Sequence, residues 1–335
     1  GIVIIRAFAK RDLAAALRLW NDSVQRGEVL LKRMAERDFQ RILEGNPSYD
    51  GSFDFVAEEE GKIAGYISGI TKKVFLPKET AENTPGYLTA IFVDADHRRR
   101  GIGTALLQAL LDAFRRDGKR DAVCFSSNPI DLGWTIPDTP GHDHNNMPGV
   151  DIECAGYPFL HENGFADVAV EVAMYLNLSD YRETPIVEEL QEKLLGEGIR
   201  TGRYDVGLGY DFDRMCDHVG SEYWRSVLRE ETQKRDPRPI LAATHEGHIV
   251  GFTGPVDRED SGRGWFTGIC TDPDFEKRGI ATVLFNLLMR EFIRKGALFS
   301  TLFTGDTSHA QRLYLRTGFE IKRRFALMKK PLIEE

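Results

Sequence analysis

The sequence predicts an α/β (α+β) fold built twice, each copy a β-sheet with helices packed against it. Three observations carry this. The chain has 335 residues, 41% of them hydrophobic, more than one core of ordinary size requires. Strands precede helices in each half, the order of a sheet covered by helices. An internal repeat joins the halves. Residues 87–111 read YLTAIFVDADHRRRGIGTALLQALL and residues 265–288 read WFTGICTDPDFEKRGIATVLFNLL. Each block is a short apolar strand, an Asp-containing turn, a basic corner and an amphipathic helix. The corner glycines Gly101 and Gly279 stand 178 positions apart, and each block later meets a Gly-Phe pair, ending at Phe165 and at Phe319.

Alternating and 3.6-periodic apolar patterns place the elements. The first half reads as a strand at 2–8, helices at 12–22 and 34–44, and strands at 53–59 and 62–70 joined by Glu60-Gly61. A strand at 87–93, a helix at 102–117, a strand at 121–126, a helix at 152–163 and a strand at 166–177 complete it. The second half repeats the later part: strands at 239–245, 248–254 and 264–271, a helix at 280–295, a strand at 297–303, a helix at 307–317 and a strand at 320–329. Ile186, Leu190 and Leu194 at helical spacing make 184–198 a connecting helix. The expected domains are 1–178 and 179–335. From corner glycine to Gly-Phe glycine is 63 residues in the first half and 39 in the second. The excess is a Pro-, Gly-, Asn- and Asp-rich loop at 126–150, of a length that in a compact domain serves function or motion.

Composition excludes several classes. Net charge is −8 with 52 acidic against 44 basic residues, so a nucleic-acid partner is not expected. No apolar run is long enough to span a bilayer and the first residues lack a signal-peptide pattern, so a cytoplasmic protein without a membrane partner is expected. Cys124, Cys154, Cys216 and Cys270 form no CxxC pair and read as reduced, mostly buried thiols. His142, Asp143 and His144, followed by Asp151 and Cys154, are metal-ligand residue types, but HxH in a Pro-Gly loop has no matching ligand pair elsewhere. No metal is expected.

The corner has a physical reading of its own. Gly101 and Gly103 let the chain turn from strand into helix with bare backbone N–H groups, and such a helix start attracts phosphate. Arg98, Arg99 and Arg100 in the first half, and Lys277 and Arg278 in the second, add charge. A dinucleotide-binding pattern would place a third glycine where Leu106 stands, and a P-loop would require GK[ST], which neither half contains.

Strand, Arg98-x-x-Gly101-x-Gly103, helix, strand, and helix ending in Gly-Phe together resemble the GNAT-fold N-acetyltransferases, in tandem. The resemblance covers about residues 50–178 and 236–330. It implies two domains, each a mixed, mostly antiparallel sheet flanked by helices, with acetyl-CoA as cosubstrate. It also implies that Ile91, Phe92 and Val93, and Ile269, Cys270 and Thr271, form the splayed strand beside pantetheine. Arg98, Arg99, Arg100, Gly101, Ile102, Gly103 and Thr104 would hold the pyrophosphate, as would Lys277, Arg278, Gly279, Ile280, Ala281 and Thr282. The second half departs at Glu276, where the family has Gln or Arg. Tyr314, four residues before the second Gly-Phe glycine, matches the family's general acid for the departing thiolate, while Leu160 stands there in the first half and Tyr157 lies three residues earlier.

These residues lead to an acetyl-CoA-dependent N-acetyltransferase acting by direct attack on the thioester, its acceptor a small-molecule primary amine, with turnover expected in the second half. An amine of pKa near 10.4 must lose a proton first. The second-half strand WFTGICT carries no carboxylate, which leaves Asp306 and His309 as base candidates, Asp306 being equally placed to cap a helix. Cys270 reads as a spectator thiol. An acyl-CoA-sensing module, or a protein-lysine acetyltransferase, is the alternative. The sequence leaves the oligomeric state open.

Overall fold

Alternating burial along 54–59 and an almost wholly buried run at 62–71 give the first half two paired strands, and the rest of its sheet grows from them. The computed structural model describes residues 1–139, 142–144 and 147–334, without the side chain of Asp143. It divides into two compact units: Gly1–Phe75 with Glu79–Ala173 and Arg323–Glu335, and Leu76–Lys78 with Met174–Lys322.

In the first unit β1 (Val3–Ala7) is followed by α1 (Leu13–Gln25) and α2 (Glu36–Phe39), then β2 (Asp54–Glu59), β3 (Lys62–Thr71) and β4 (Gly86–Val93). After these come α3 (Ile102–Arg116) and β5 (Asp121–Cys124). Strands β1 to β4 pair antiparallel in sequence order, while β5 runs parallel to β4. Helix α3 is amphipathic, with Leu106, Leu107, Leu110, Leu111 and Phe114 buried on one stripe. Gly86 admits it: a Cβ there would lie 2.6 Å from the Phe114 ring, and Gly264 repeats the arrangement 2.6 Å from Phe292 in the second unit. Helix α1 packs on the opposite face, Trp20 lying 4.9 Å from Phe92 between ring centroids.

Within 126–150 the chain forms β6 (Trp134–Thr135) against β7 (Asp143–His144), and β8 (Val150–Asp151) follows. Helix α4 is shorter than expected, Gly156–Glu162, because residues 152–155 form turns. Strand β9 (Ala166–Asn177) leads to α5 (Val187–Gly196), the connecting helix.

The second unit contains β10 (Arg200–Arg203), α6 (Asp213–Val219) and α7 (Glu222–Thr232), none of which the sequence reading located. Next are β11 (Leu241–His245), β12 (His248–Gly254), β13 (Asp257–Arg258), β14 (Arg263–Trp265) and β15 (Gly268–Thr271). Helix α8 (Ile280–Arg294), β16 (Phe299–Gly305), α9 (Ala310–Arg316) and β17 (Glu320–Pro331) close the chain. The single strand expected at 264–271 is two: β15 pairs with β12, and β14 pairs in parallel with β16. Trp224 of α7 lies against the start of β15, 2.8 Å from where a Cβ of Gly268 would stand.

The repeat boundary and the packing boundary differ. Residues 323–335 belong to the second repeat by sequence and to the first unit by packing: Met328 to Pro331 pair antiparallel with Cys124 to Asp121, and Phe325 and Met328 are fully buried there. Phe325→Ala should therefore destabilise the first unit, by about 3 kcal/mol or more from the lost transfer energy and the cavity. Hydrogen exchange resolved by segment checks it, the expected result being lost protection at 121–124.

Candidate functional site

Strands β4 and β5 pair only at Gly86 with Ala122 and Tyr87 with Val123. Beyond Tyr87 they part, so one edge of β4 has lost its partner. A bulge in the β3–β4 register, between Ser68 and Gly69, pairs Ser68 with Ala90 and Gly69 with Leu88 and leaves Thr89 over. A cavity of about 570 Å³ opens along this edge. Its lining includes Arg98, Arg99, Gly101, Ile102, Gly103 and Thr104 of the corner, Thr89, Ala90, Ile91, Phe92 and Val93 of β4, and Asp151 and Cys154. The sequence-predicted residues of the first half thus converge on one cavity, Arg100 excepted.

The corner has the backbone form of an anion nest. Arg99 (φ 60) and Gly101 (φ 78) are both left-handed, and α3 begins at Ile102 with its first N–H groups facing outward. Among the described residues, and leaving aside its chain neighbours and the adjoining helix backbone, no atom lies within 4 Å of the place a Gly101 Cβ would take. The three arginines differ in use. Arg100 pairs with Glu59 at 2.8 and 2.9 Å, which holds the Glu59 carboxyl down to about 2. Arg98 is bound by Glu28 and reaches the Val93 carbonyl at 3.3 Å. Arg99 is exposed and, among the described residues, makes no ion pair, so its charge is available to a phosphate.

Asp151, also on the cavity lining, is 7% exposed. Its Oδ1 accepts the Glu153 N–H at 2.9 Å and faces Arg323 at 3.7 Å, while Oδ2 has no hydrogen-bond partner among the described residues. Burial raises its pKa above the usual carboxylate range. Apolar side chains also line the cavity: Leu30 and Leu31 from the loop between α1 and α2, and Ile130, Leu132 and Met147 from the long loop. Asn128 donates to Thr89 Oγ1 at 3.0 Å, tying that loop to the bulge. Sequence reasoning had marked Asp151 only beside a metal-like cluster, and no signal pointed to Leu30, Leu31 or Asn128. His144 is buried against Trp134, and Asp143's side chain lies outside the described residues. Leu160 lines the cavity, whereas Tyr157 turns its hydroxyl to Asp167 at 2.6 Å.

The second corner keeps the backbone, but a side chain of α5 lies against its glycine. Lys277 (φ 62) and Gly279 (φ 90) repeat the left-handed pair. Here, however, Leu190 of α5 lies 2.7 Å from where a Gly279 Cβ would be, and Arg278 faces Glu197 at 3.7 Å. Cys270 Sγ sits 3.8 Å from Met215 Sδ, and burial raises its thiol pKa far above the usual range. Tyr314 is 6% exposed and packs 4.7 Å from Phe285 and 6.2 Å from Phe319 between ring centroids. Burial pushes its hydroxyl up to about 12. Asp306 and His309 are exposed ahead of α9.

The acetyltransferase (GNAT) family model matches residues 16–131 and again 210–319, two-thirds of the chain. The chain belongs to the GNAT acetyltransferase family. It is a tandem member, and acetyl transfer is the family's reaction. A GCN5-related N-acetyltransferase from Sphaerobacter thermophilus is similar in fold, with 18% identity and a TM-score of 0.60 over 99% of this chain and 96% of that one. So is a tandem GNAT protein from the clavulanic acid biosynthesis pathway, 13% identical at a TM-score of 0.53, with both chains covered in full. A glucosamine N-acetyltransferase region of a fungal multi-domain β-N-acetylglucosaminidase aligns at 17% identity and a TM-score of 0.59 over 98% of this chain, which spans 38% of that protein. Among curated proteins none matches by sequence. No helix among the described residues is long and apolar enough to cross a membrane.

Proposed function

We propose that this GNAT protein transfers an acetyl group from acetyl-CoA to the primary amine of a small molecule, and that it does so in the first unit. The observation that carries this is the single cavity joining the phosphate-binding corner to a buried carboxylate along the unpaired edge of β4. The corner N–H groups and Arg99 suit a pyrophosphate, and the open edge at Ile91, Phe92 and Val93 suits an amide-bearing arm. Acetyl-CoA supplies the activated acyl group. Asp151 takes the proton of the incoming ammonium through Oδ2, and its burial makes it a stronger base than an exposed carboxylate. The amine attacks the thioester carbonyl directly, and backbone N–H groups at the β4 bulge meet the developing oxyanion. The C–S bond breaks and the thiolate leaves without a tyrosine, which its pKa of about 8.5, by analogy with cysteine, allows, and it takes up the second proton that the attacking nitrogen releases on becoming an amide. Leu30, Leu31, Ile130, Leu132 and Met147 favour an amine with a compact apolar body over a polypeptide segment.

In this reading Tyr314 is a core aromatic, and the second unit is scaffold, its corner covered by Leu190. Tyr314→Phe should leave turnover within about twofold of the parent, and a large loss would return the chemistry to the second unit. The direct test is thiol release from acetyl-CoA against a panel of amines, amino sugars and lysine peptides. Release with small apolar amines alone supports the proposal; release with peptides alone overturns the acceptor class.

A further inference from the structure

Asp54 of β2 is a carboxylate at 1% exposure inside the first unit. It accepts three hydroxyls: Ser68 Oγ at 2.7 Å, Tyr49 at 2.8 Å and Tyr66 at 3.0 Å. Burying a carboxylate is expensive even when it is hydrogen-bonded, and an apolar replacement of like size often serves stability as well. The chain contains that replacement. In the second repeat the residues 186 positions further on, in place of Asp54, Tyr66 and Ser68, are Ile240, Phe252 and Gly254. The registers confirm the correspondence, since the bulge after Ala57 recurs after Ala243, and Ser68 opposite Ala90 recurs as Gly254 opposite Gly268. The same fold in the same chain therefore forms without the polar cluster.

What differs between the units at this point is the strand beside the cavity. In the first unit Ser68 is the last β3 residue before the β3–β4 register shift, and β4 runs unbroken through Thr89, the bulged residue. In the second, pairing stops at Gly254 and the corresponding strand breaks into β14 and β15. The cluster thus sits on the residue that sets the bulge, and Thr89, Ala90 and Ile91 line the cavity.

We propose that Asp54 is a positioning residue for acyl transfer: through Ser68 it holds the β3–β4 bulge, and the bulge aims the β4 backbone at the thioester carbonyl. Tyr49 and Tyr66 hold the carboxylate from its other sides. The inference rests on the reading that acetyl-CoA occupies the first-unit cavity. Burial also pushes the Asp54 carboxyl up to about 7, consistent with a group placed for geometry and not for stability.

The test uses acetyl-CoA labelled with carbon-13 at the carbonyl, bound to the full chain and read by isotope-edited infrared spectroscopy. A carbonyl polarised by backbone N–H groups absorbs at lower frequency than in free acetyl-CoA. The parent protein should show that shift. Ser68→Ala, Asp54→Asn and the double variant Asp54→Ile with Tyr66→Phe, which installs the second repeat's residues, should lose at least half of it. Acetyl-CoA affinity by calorimetry should stay within about threefold, because the corner is untouched. A purely structural role would alter melting temperature and leave the carbonyl frequency of folded variants unchanged, which overturns the proposal. A parent protein that binds acetyl-CoA without any shift also overturns it. No binding to the parent protein overturns instead the reading that acetyl-CoA occupies this cavity. If Asp54→Asn fails to fold, Ser68→Ala removes one hydroxyl only and decides the matter.

Discussion

Asp151→Asn should lower acetyl transfer by roughly 10²- to 10³-fold while leaving acetyl-CoA affinity nearly unchanged, the range expected when a positioned general base is removed. Asn keeps the size of the side chain and its contact with the Glu153 N–H, so the cavity retains its shape. The pH profile separates a catalytic from a packing effect. Burial raises the pKa of Asp151, so the parent rate should fall as pH drops through a value above the ordinary carboxylate range, where the base becomes protonated. The variant should lose this acid limb, leaving only the titration of the acceptor amine. A variant with parental turnover, or one that keeps the acid limb, would remove Asp151 from the reaction.

Gly103→Val should abolish most acetyl-CoA binding, by about 30-fold or more, equivalent to about 2 kcal/mol. A Cβ at this position would already stand 3.3 Å from the Phe159 ring, and the two further methyl groups must enter the cavity beside the helix start. Calorimetry should find one site per chain in the parent and none of comparable affinity in the variant. Ala281→Val, the matching change at the second corner, should leave both affinity and stoichiometry as they were. Two sites in the parent, or a loss on changing Ala281, would show that α5 does not close the second corner.

Much of this protein is written locally. The two strand-corner-helix blocks, the glycines at 101 and 279, and the amphipathic stripe of α3 depend on neighbours in sequence, which is why periodicity located them. So does the left-handed corner, because glycine is the residue that most readily takes the φ of 78 or 90 found at its turn into the helix. Helices α6 and α7 escaped because charged residues dilute their apolar positions, and they are held by packing, as with Leu228 and Met215 in the core. The break between β14 and β15 escaped for a similar reason: WFTGICT reads as one strand, and only its two different partners divide it.

Short-range pattern and backbone chemistry suffice to locate the two repeats, the place of each corner and the residues that form it. What packs against each corner depends on the tertiary structure. Two similar motifs differ in that Leu190, from a helix some ninety residues away, lies against the Cβ site of one corner glycine, while among the described residues no atom beyond the chain neighbours and the adjoining helix backbone comes within 4 Å of that site in the other. Tyr314 likewise matches a general acid by position and becomes a core ring because Phe285 and Phe319 lie against it. Asp151 acquires its raised pKa and its place in the cavity from burial, and burial depends on chain segments that a motif does not contain.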